Sequence, residues 1–235
     1  MSTLAFELQT ALNEAGVGPL AVDGRIGPAT KAAIRRFQKK HGLAPDGIAG
    51  PKTRAALGMV TGIDRSVPKR APASPKAAKQ WPRQADVVSV FGSPGNPACT
   101  AGRVRLPSSM RIAWNTSQLI SQFSCHTLVE DAFTSIFAET IKHYGPDEWR
   151  RLGLDLFGGC YNLRKMRGGS SYSMHSWGIA VDIDPVRNQL KWGKDRAQLA
   201  RSEYAAWWDI VEEHGMLSLG RARNYDWMHF QAARL

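Results

Sequence analysis

Only three cysteines occur in 235 residues, at positions 99, 125 and 160, and no two of them form a Cys-x-x-Cys pair. That excludes a disulfide framework and a thiolate zinc site, and leaves three free thiols or one bridge plus one thiol. Long apolar runs are missing too. No stretch approaches the ~20 residues needed to cross a bilayer, so stable membrane insertion is not expected. The first residues, MSTLAFELQTALNEAG, lack a basic start, an apolar block and a small-residue cleavage site, so no secretory leader is expected. Acidic residues are outnumbered, 20 against 31 basic ones, for a net charge of +11. Such a balance often marks nucleic-acid binding. Here, however, the excess is concentrated in residues 61–84, with six basic residues and one acidic, among prolines and alanines and without interleaved aromatics. A basic tether drawn to an anionic envelope, or simply solvated, fits better than a nucleic-acid site.

On either side of that tether the pattern changes. Residues 4–15 have Leu4, Leu8, Ala11, Leu12 and Ala15 at helical spacing, stopped by Gly16. A repeat follows: Asp23-Gly24-Arg25-Ile26-Gly27-Pro28-Ala29-Thr30 recurs as Asp46-Gly47-Ile48-Ala49-Gly50-Pro51-Lys52-Thr53, at a constant offset of 23. Each copy reads as a turn feeding a helix with proline in its first turn. Neither copy can bury a core alone, so the two should pack with the first helix.

In residues 85–235, Val129, Phe133, Ile136, Phe137, Thr140, Ile141 and Tyr144 define a core helix ended by Gly145-Pro146. Tyr204, Trp207, Trp208 and Val211 define another, stopped by Gly215. His126 and His143 flank the first and read as surface groups. RIAWN, 111–115, reads as a short strand within an otherwise loop-like stretch. The expected fold is α+β, with helices on one side of a small, mostly antiparallel sheet, preceded by a small all-α three-helix domain.

Two separated stretches carry the chemistry. In SSYSMHSWGIAVDID, 170–184, Ile179, Val181 and Ile183 alternate with Ala180, Asp182 and Asp184, as in a strand with one apolar and one polar face. His175 precedes Asp182 by seven positions, across Gly178. In NYDWMHFQ, 224–231, His229 follows Asp226 by three. Two imidazoles and a carboxylate, His175, Asp182 and His229, form a catalytic zinc set with one coordination position left open. Asp226 is then the general base, provided that it lies in the loop just before the strand carrying His229. Asp184 reads as a strand-end carboxylate capping the Pro185 turn.

These motifs, Ser173-x-His175-x-x-Gly178-x-Ala180-x-Asp182 and Asp226-x-x-His229, resemble the signature of the LAS-type zinc peptidases. That family holds the D-Ala-D-Ala carboxypeptidases and dipeptidases and the phage L-alanyl-D-glutamate endopeptidases. The resemblance implies zinc on His175, Asp182 and His229 and a catalytic base at Asp226, where many members have Glu. Tyr161-Asn162-Leu163-Arg164 resembles the element whose arginine stabilises the oxyanion, which assigns Arg164, with Arg167 as the alternative. Ser173 matches a substrate-contacting serine, or serves as a loop hydroxyl.

The N-terminal repeat, with Phe37-Gln38 and Gly42-Leu43, resembles a three-helix peptidoglycan-binding domain. Asp23, Arg25 and Thr30 are its candidate wall contacts, against turn and helix-cap chemistry for each.

The expected organisation is therefore a peptidoglycan-binding domain in 1–60, a basic Pro/Ala-rich linker in 61–84 and a zinc peptidase domain in 85–235. Together these resemble a phage endolysin, a monomer made in the host cytoplasm and released to the wall. It would cut L-Ala-D-Glu in the stem peptide. Release of terminal D-Ala by a carboxypeptidase, and a wall-binding protein without catalysis, are the alternatives.

Overall fold

The computed structural model describes residues 3–59 and 81–235, and these fall into two compact units. Residues 61–80 of the expected linker lie outside the described residues. Its last four do not: the backbone N–H of Gln84 donates to Arg234 O at 2.7 Å, Arg234 Nε donates to Trp81 O at 2.8 Å, and Trp81 is buried. Trp81 is thus where the chain joins the second unit.

The first unit is three helices, α1 (Thr3–Glu14), α2 (Pro28–Lys40) and α3 (Pro51–Ala56). Leu8, Leu12, Val17, Ala33, Ile34 and Phe37 form its core; of the stripe that helical spacing marked in α1, Leu8 and Leu12 belong to it, whereas Leu4 is exposed. Helices α2 and α3 start alike, with an extended glycine (Gly27, Gly50) before a proline whose missing N–H costs nothing in the first turn.

A glutamine from the preceding helix clamps each Asp-Gly turn. Gln9 Nε2 lies 2.7 Å from Asp23 Oδ1 and 3.0 Å from Arg25 O, while its Oε1 accepts from Gly24 N. Gln38 Nε2 lies 2.6 Å from Asp46 Oδ1 and 2.9 Å from Ile48 O, and its Oε1 accepts from Gly47 N. Gln38 is buried, and a domain this small has little stability to spare. Gln38→Ala is expected to lower the stability of this unit by about 2–4 kcal/mol, because several buried partners lose their hydrogen bonds at once. Amide exchange on the full chain checks this: protection should fall within 3–59 and persist in 81–235.

The second unit is built on a six-stranded mixed sheet, larger than the small sheet expected. Its strands are β1 (Gly102–Ile112), β2 (Asn115–Cys125), β3 (Leu156–Gly159), β4 (Ala180–Ile183), β5 (Leu217–Ser218) and β6 (His229–Gln231), in the order β2-β1-β3-β4-β6-β5. All neighbours are antiparallel except β1 and β3. Between β2 and β3 run helices α4 (Glu130–Tyr144) and α5 (Pro146–Leu152), which supply the crossover that a parallel pair requires.

Helix α4 buries Phe133, Ile136, Phe137, Thr140 and Tyr144, as its periodicity predicts. Phe133 meets Phe230 of β6 edge-on at 5.7 Å, and Phe137 meets Phe123 of β2 at 5.8 Å. Tyr204, Trp207, Trp208 and Val211, in and just before α6 (Ala205–Glu213), are buried as expected. Each aromatic contact adds about 0.5–1.5 kcal/mol beyond its area term.

Three further expectations differ from the structure. Residues 102–125 form one long hairpin, and Trp114 of RIAWN sits in its turn, 70 % exposed, rather than in a strand. His126 is a buried, not a surface, histidine. Its Nδ1 accepts from Leu128 N, its Nε2 lies 3.3 Å from Phe91 O, and burial lowers its pKa. Strand β4 is covered on both faces, with Ala180, Val181 and Ile183 all buried, so only Asp182 departs from an apolar strand.

Candidate metal centre and cleft

The register of β4 against β6 creates the site. Asp182 pairs directly with His229, Val181 with Phe230 and Ala180 with Gln231, so Asp182 and His229 leave the same face of the sheet as cross-strand neighbours. A slip of one residue would send them to opposite faces.

His175 reaches that face from a single 3₁₀ turn, Met174–Trp177. Gly178 ends the turn in the left-handed region, φ +64°, and packs so closely that a Cβ there would lie 2.2 Å from Cys99 O. Only glycine satisfies both demands. The turn is anchored by Trp177 Nε1 donating to Gly92 O at 2.8 Å and by Gly178 O accepting from His126 N at 3.0 Å. His126 thus bears on the site, since its backbone holds the loop that carries His175.

The ligand atoms of His175, Asp182 and His229 lie within 4.8 Å of one another. His175 Nδ1 lies 2.6 Å from Cys160 O, to which it donates, so its Nε2 is left with a lone pair, 3.3 Å from Asp182 Oδ1. His229 Nδ1 lies 2.9 Å from the same oxygen. Electron pairs from three side chains therefore face a common point, an arrangement stable only around a cation, either protons on the rings or a metal ion. Burial alone would raise the pKa of Asp182, but the two imidazoles outweigh it and hold the carboxyl well below the usual range. Burial lowers His229, and the hydrogen bond and charge of Asp182 more than offset that, so its pKa is raised. The donor set, two imidazole nitrogens and one carboxylate with a fixed outer hydrogen bond on His175, fits a zinc-type ion with room for a further ligand.

Asp226 lies in the loop just ahead of β6, where the expected role of general base would need it. It takes a left-handed backbone, φ +53°, with its N–H donating to Leu190 O and its carbonyl accepting from His229 N. Its Oδ1 is buried without a hydrogen-bond partner, and burial, only partly opposed by His229, raises its pKa to about 6. A carboxylate left unpartnered and poised to change protonation near neutrality suits proton transfer.

These groups open into a cleft of about 900 Å³. Its wall includes Arg164, Arg167, Ser173, Lys191 and the exposed rings of Trp114, Tyr161 and Tyr225. All six site residues expected in the C-terminal half thus line one cavity.

Ser176, missed in the sequence, fixes the Arg164 segment: its hydroxyl donates to Arg164 O at 2.8 Å and accepts from Arg164 N at 3.0 Å. Cys160, whose carbonyl orients His175, and Gln231, beside His229, were also missed. Gln231 was readable in principle, because alternate residues of a strand share a face. Asp184 is buried and bonded to Arg187 at 2.6 Å, away from the cleft lining.

In the first unit, Asp23 is held by Gln9, and its Oδ1 also accepts from Arg25 N; Thr30 is buried in the same network; Arg25 is exposed. Turn chemistry accounts for Asp23 and Thr30.

A family model described as a putative peptidoglycan binding domain matches residues 5–57, and one described as D-alanyl-D-alanine carboxypeptidase matches residues 167–232. The second covers His175, Asp182, Asp226 and His229; Arg164 falls just outside it. No curated protein matches. A solved structure, that of the Burkholderia AP3 phage endolysin, is similar at 22% identity over 65% of this chain and 69% of that one, with a TM-score of 0.24. The chain thus carries one segment similar to a putative peptidoglycan binding domain and, C-terminal to it, one similar to D-alanyl-D-alanine carboxypeptidases.

Proposed function

We propose that this chain is an endolysin-like zinc peptidase that cuts the peptide part of peptidoglycan, with residues 1–60 holding the polymer and 85–235 carrying out hydrolysis. The observation that carries this reading is the convergence of His175 Nε2, Asp182 Oδ1 and His229 Nδ1, with the unpartnered Asp226 carboxylate in the same cleft. When bound there, zinc would supply Lewis-acid chemistry, bringing the pKa of water to about 7 and polarising a carbonyl.

The chain's own groups do the rest. Asp226 takes the proton from the attacking water and passes it to the leaving amine nitrogen. Arg164, whose positive charge Asp226 feels, offers donors to the developing oxyanion. Arg164, Arg167 and Lys191 give the cleft wall cations suited to the carboxylates of a stem peptide. Anchoring by the first unit raises the local concentration at an insoluble substrate, so the cleft can bind each stem peptide weakly.

The bond assigned is L-Ala-D-Glu. A second reading, release of terminal D-Ala, is favoured by the description of the matching family model. Digestion of purified muropeptides followed by mass analysis separates them. Separation of the stem peptide at its first residue is expected, and free D-Ala as the sole product would reject the assignment. The protein is read as a monomer made in the host cytoplasm and acting at the wall, with peptidoglycan as both substrate and anchor.

A further inference from the structure

We infer that Gln231 is a positioning residue that dictates which nitrogen of His229 faces the metal centre. The inference rests on the zinc reading above and deepens it. Gln231 follows His229 by two positions in β6, so both side chains leave the same face, and Gln231 is 1 % exposed.

Its Nε2 donates to Ala233 O at 2.8 Å, which leaves Oε1 turned toward His229 Nε2 at 3.0 Å. Ala233 closes off the flipped amide, because that rotamer would set two oxygens against each other. An amide oxygen only accepts, so His229 Nε2 carries the proton. A neutral imidazole has one proton, and Nδ1, 2.9 Å from Asp182 Oδ1, is therefore the nitrogen with a lone pair to give. His175 is held in the opposite sense: its Nδ1 is engaged by Cys160 O and its Nε2 is presented. The two imidazoles thus offer different nitrogens to one point, each fixed by a neutral oxygen behind it. Outer partners of this kind typically change metal affinity about 10–100-fold.

The test uses the full chain loaded with zinc. Two-bond proton–nitrogen spectra of its histidines should show His229 protonated at Nε2 and metal-bound at Nδ1. Gln231→Met keeps the length and volume of the side chain but removes the acceptor. It should weaken zinc binding about 10–100-fold in chelator competition and abolish the single-tautomer signal of His229. Zinc bound with His229 reversed, or a folded Gln231→Met protein with unchanged zinc affinity, would overturn the inference while leaving the peptidase reading intact. If that variant does not fold, Gln231→Glu, which keeps an acceptor oxygen at the same place, should retain the His229 tautomer, and a wild-type spectrum with His229 metal-bound at Nε2 overturns the inference by itself. A wild-type chain that takes up no zinc would overturn both.

Discussion

Replacing His175 by alanine is expected to lower wall hydrolysis by at least ~10³-fold while leaving sedimentation with purified walls unchanged. The first effect follows from the site's construction: three side chains share one point, and two ligands do not hold a catalytic ion in a defined geometry. The lost activity is then that of the whole electrophilic centre, several kcal/mol of barrier at ~1.4 kcal/mol per decade. The second follows from the layout, since the model of a putative peptidoglycan binding domain matches residues 5–57 and His175 belongs to the other unit. Turbidity loss and co-sedimentation on the same preparation measure the two. Loss of both would point to misfolding, which Asp182→Asn, nearly isosteric, controls for. Retained hydrolysis would remove the proposed engine.

Asp226→Asn is expected to move activity and stability in opposite directions. Loss of the proposed base should cost about 10²–10⁴-fold in rate. The carboxyl has a pKa raised to about 6 in the fold from the ordinary 3.8, because burial disfavours its charge. The folded state therefore holds the proton more tightly than the unfolded one. The resulting penalty is absent below pH ~4, grows between ~4 and ~6, and is fully present above. At neutral pH it is on the order of 3 kcal/mol, and asparagine removes it. Thermal melts of the metal-free variant should thus exceed wild type at pH 7 and converge with it near pH 3.5.

In the active enzyme the same group predicts a rate that rises with pH through an acid limb at or below 6, since a bound cation would favour the carboxylate. A variant less stable than wild type at pH 7, or a wild-type rate that falls as pH rises from 5 to 7, would show that Asp226 is not the buried base described here.

Much of this architecture was legible because periodicity and burial coincide. The α4 stripe from Phe133 to Tyr144 lies where spacing placed it, as do Leu8 and Leu12 in the core of the first unit. The convergence of His175, Asp182 and His229 was legible for a different reason: a carboxylate within an apolar strand and a histidine on each of two motifs are chemically costly unless they meet.

The β1–β2 hairpin was not legible. Strand β2, NTSQLISQFSC, is an edge strand exposed along most of its length, and β1 contains Pro107 and an irregular register between Arg105 and Met110, so neither shows a clean alternation. The glutamine clamps escaped for a geometric reason. Gln9 and Gln38 are 29 residues apart, whereas the turns they hold are 23 apart, so a constant-offset repeat cannot reveal them. His126 looked like a surface group because its environment is supplied by Phe91, 35 positions earlier.

Anomalous diffraction at the zinc edge, on crystals of the full chain grown with zinc, puts the convergence of the three side chains to the most direct test. A single peak about 2.0–2.2 Å from His175 Nε2, His229 Nδ1 and an Asp182 oxygen, lost in His175→Ala, is the expected result. A peak held by other residues, or none at full zinc loading, would contradict it.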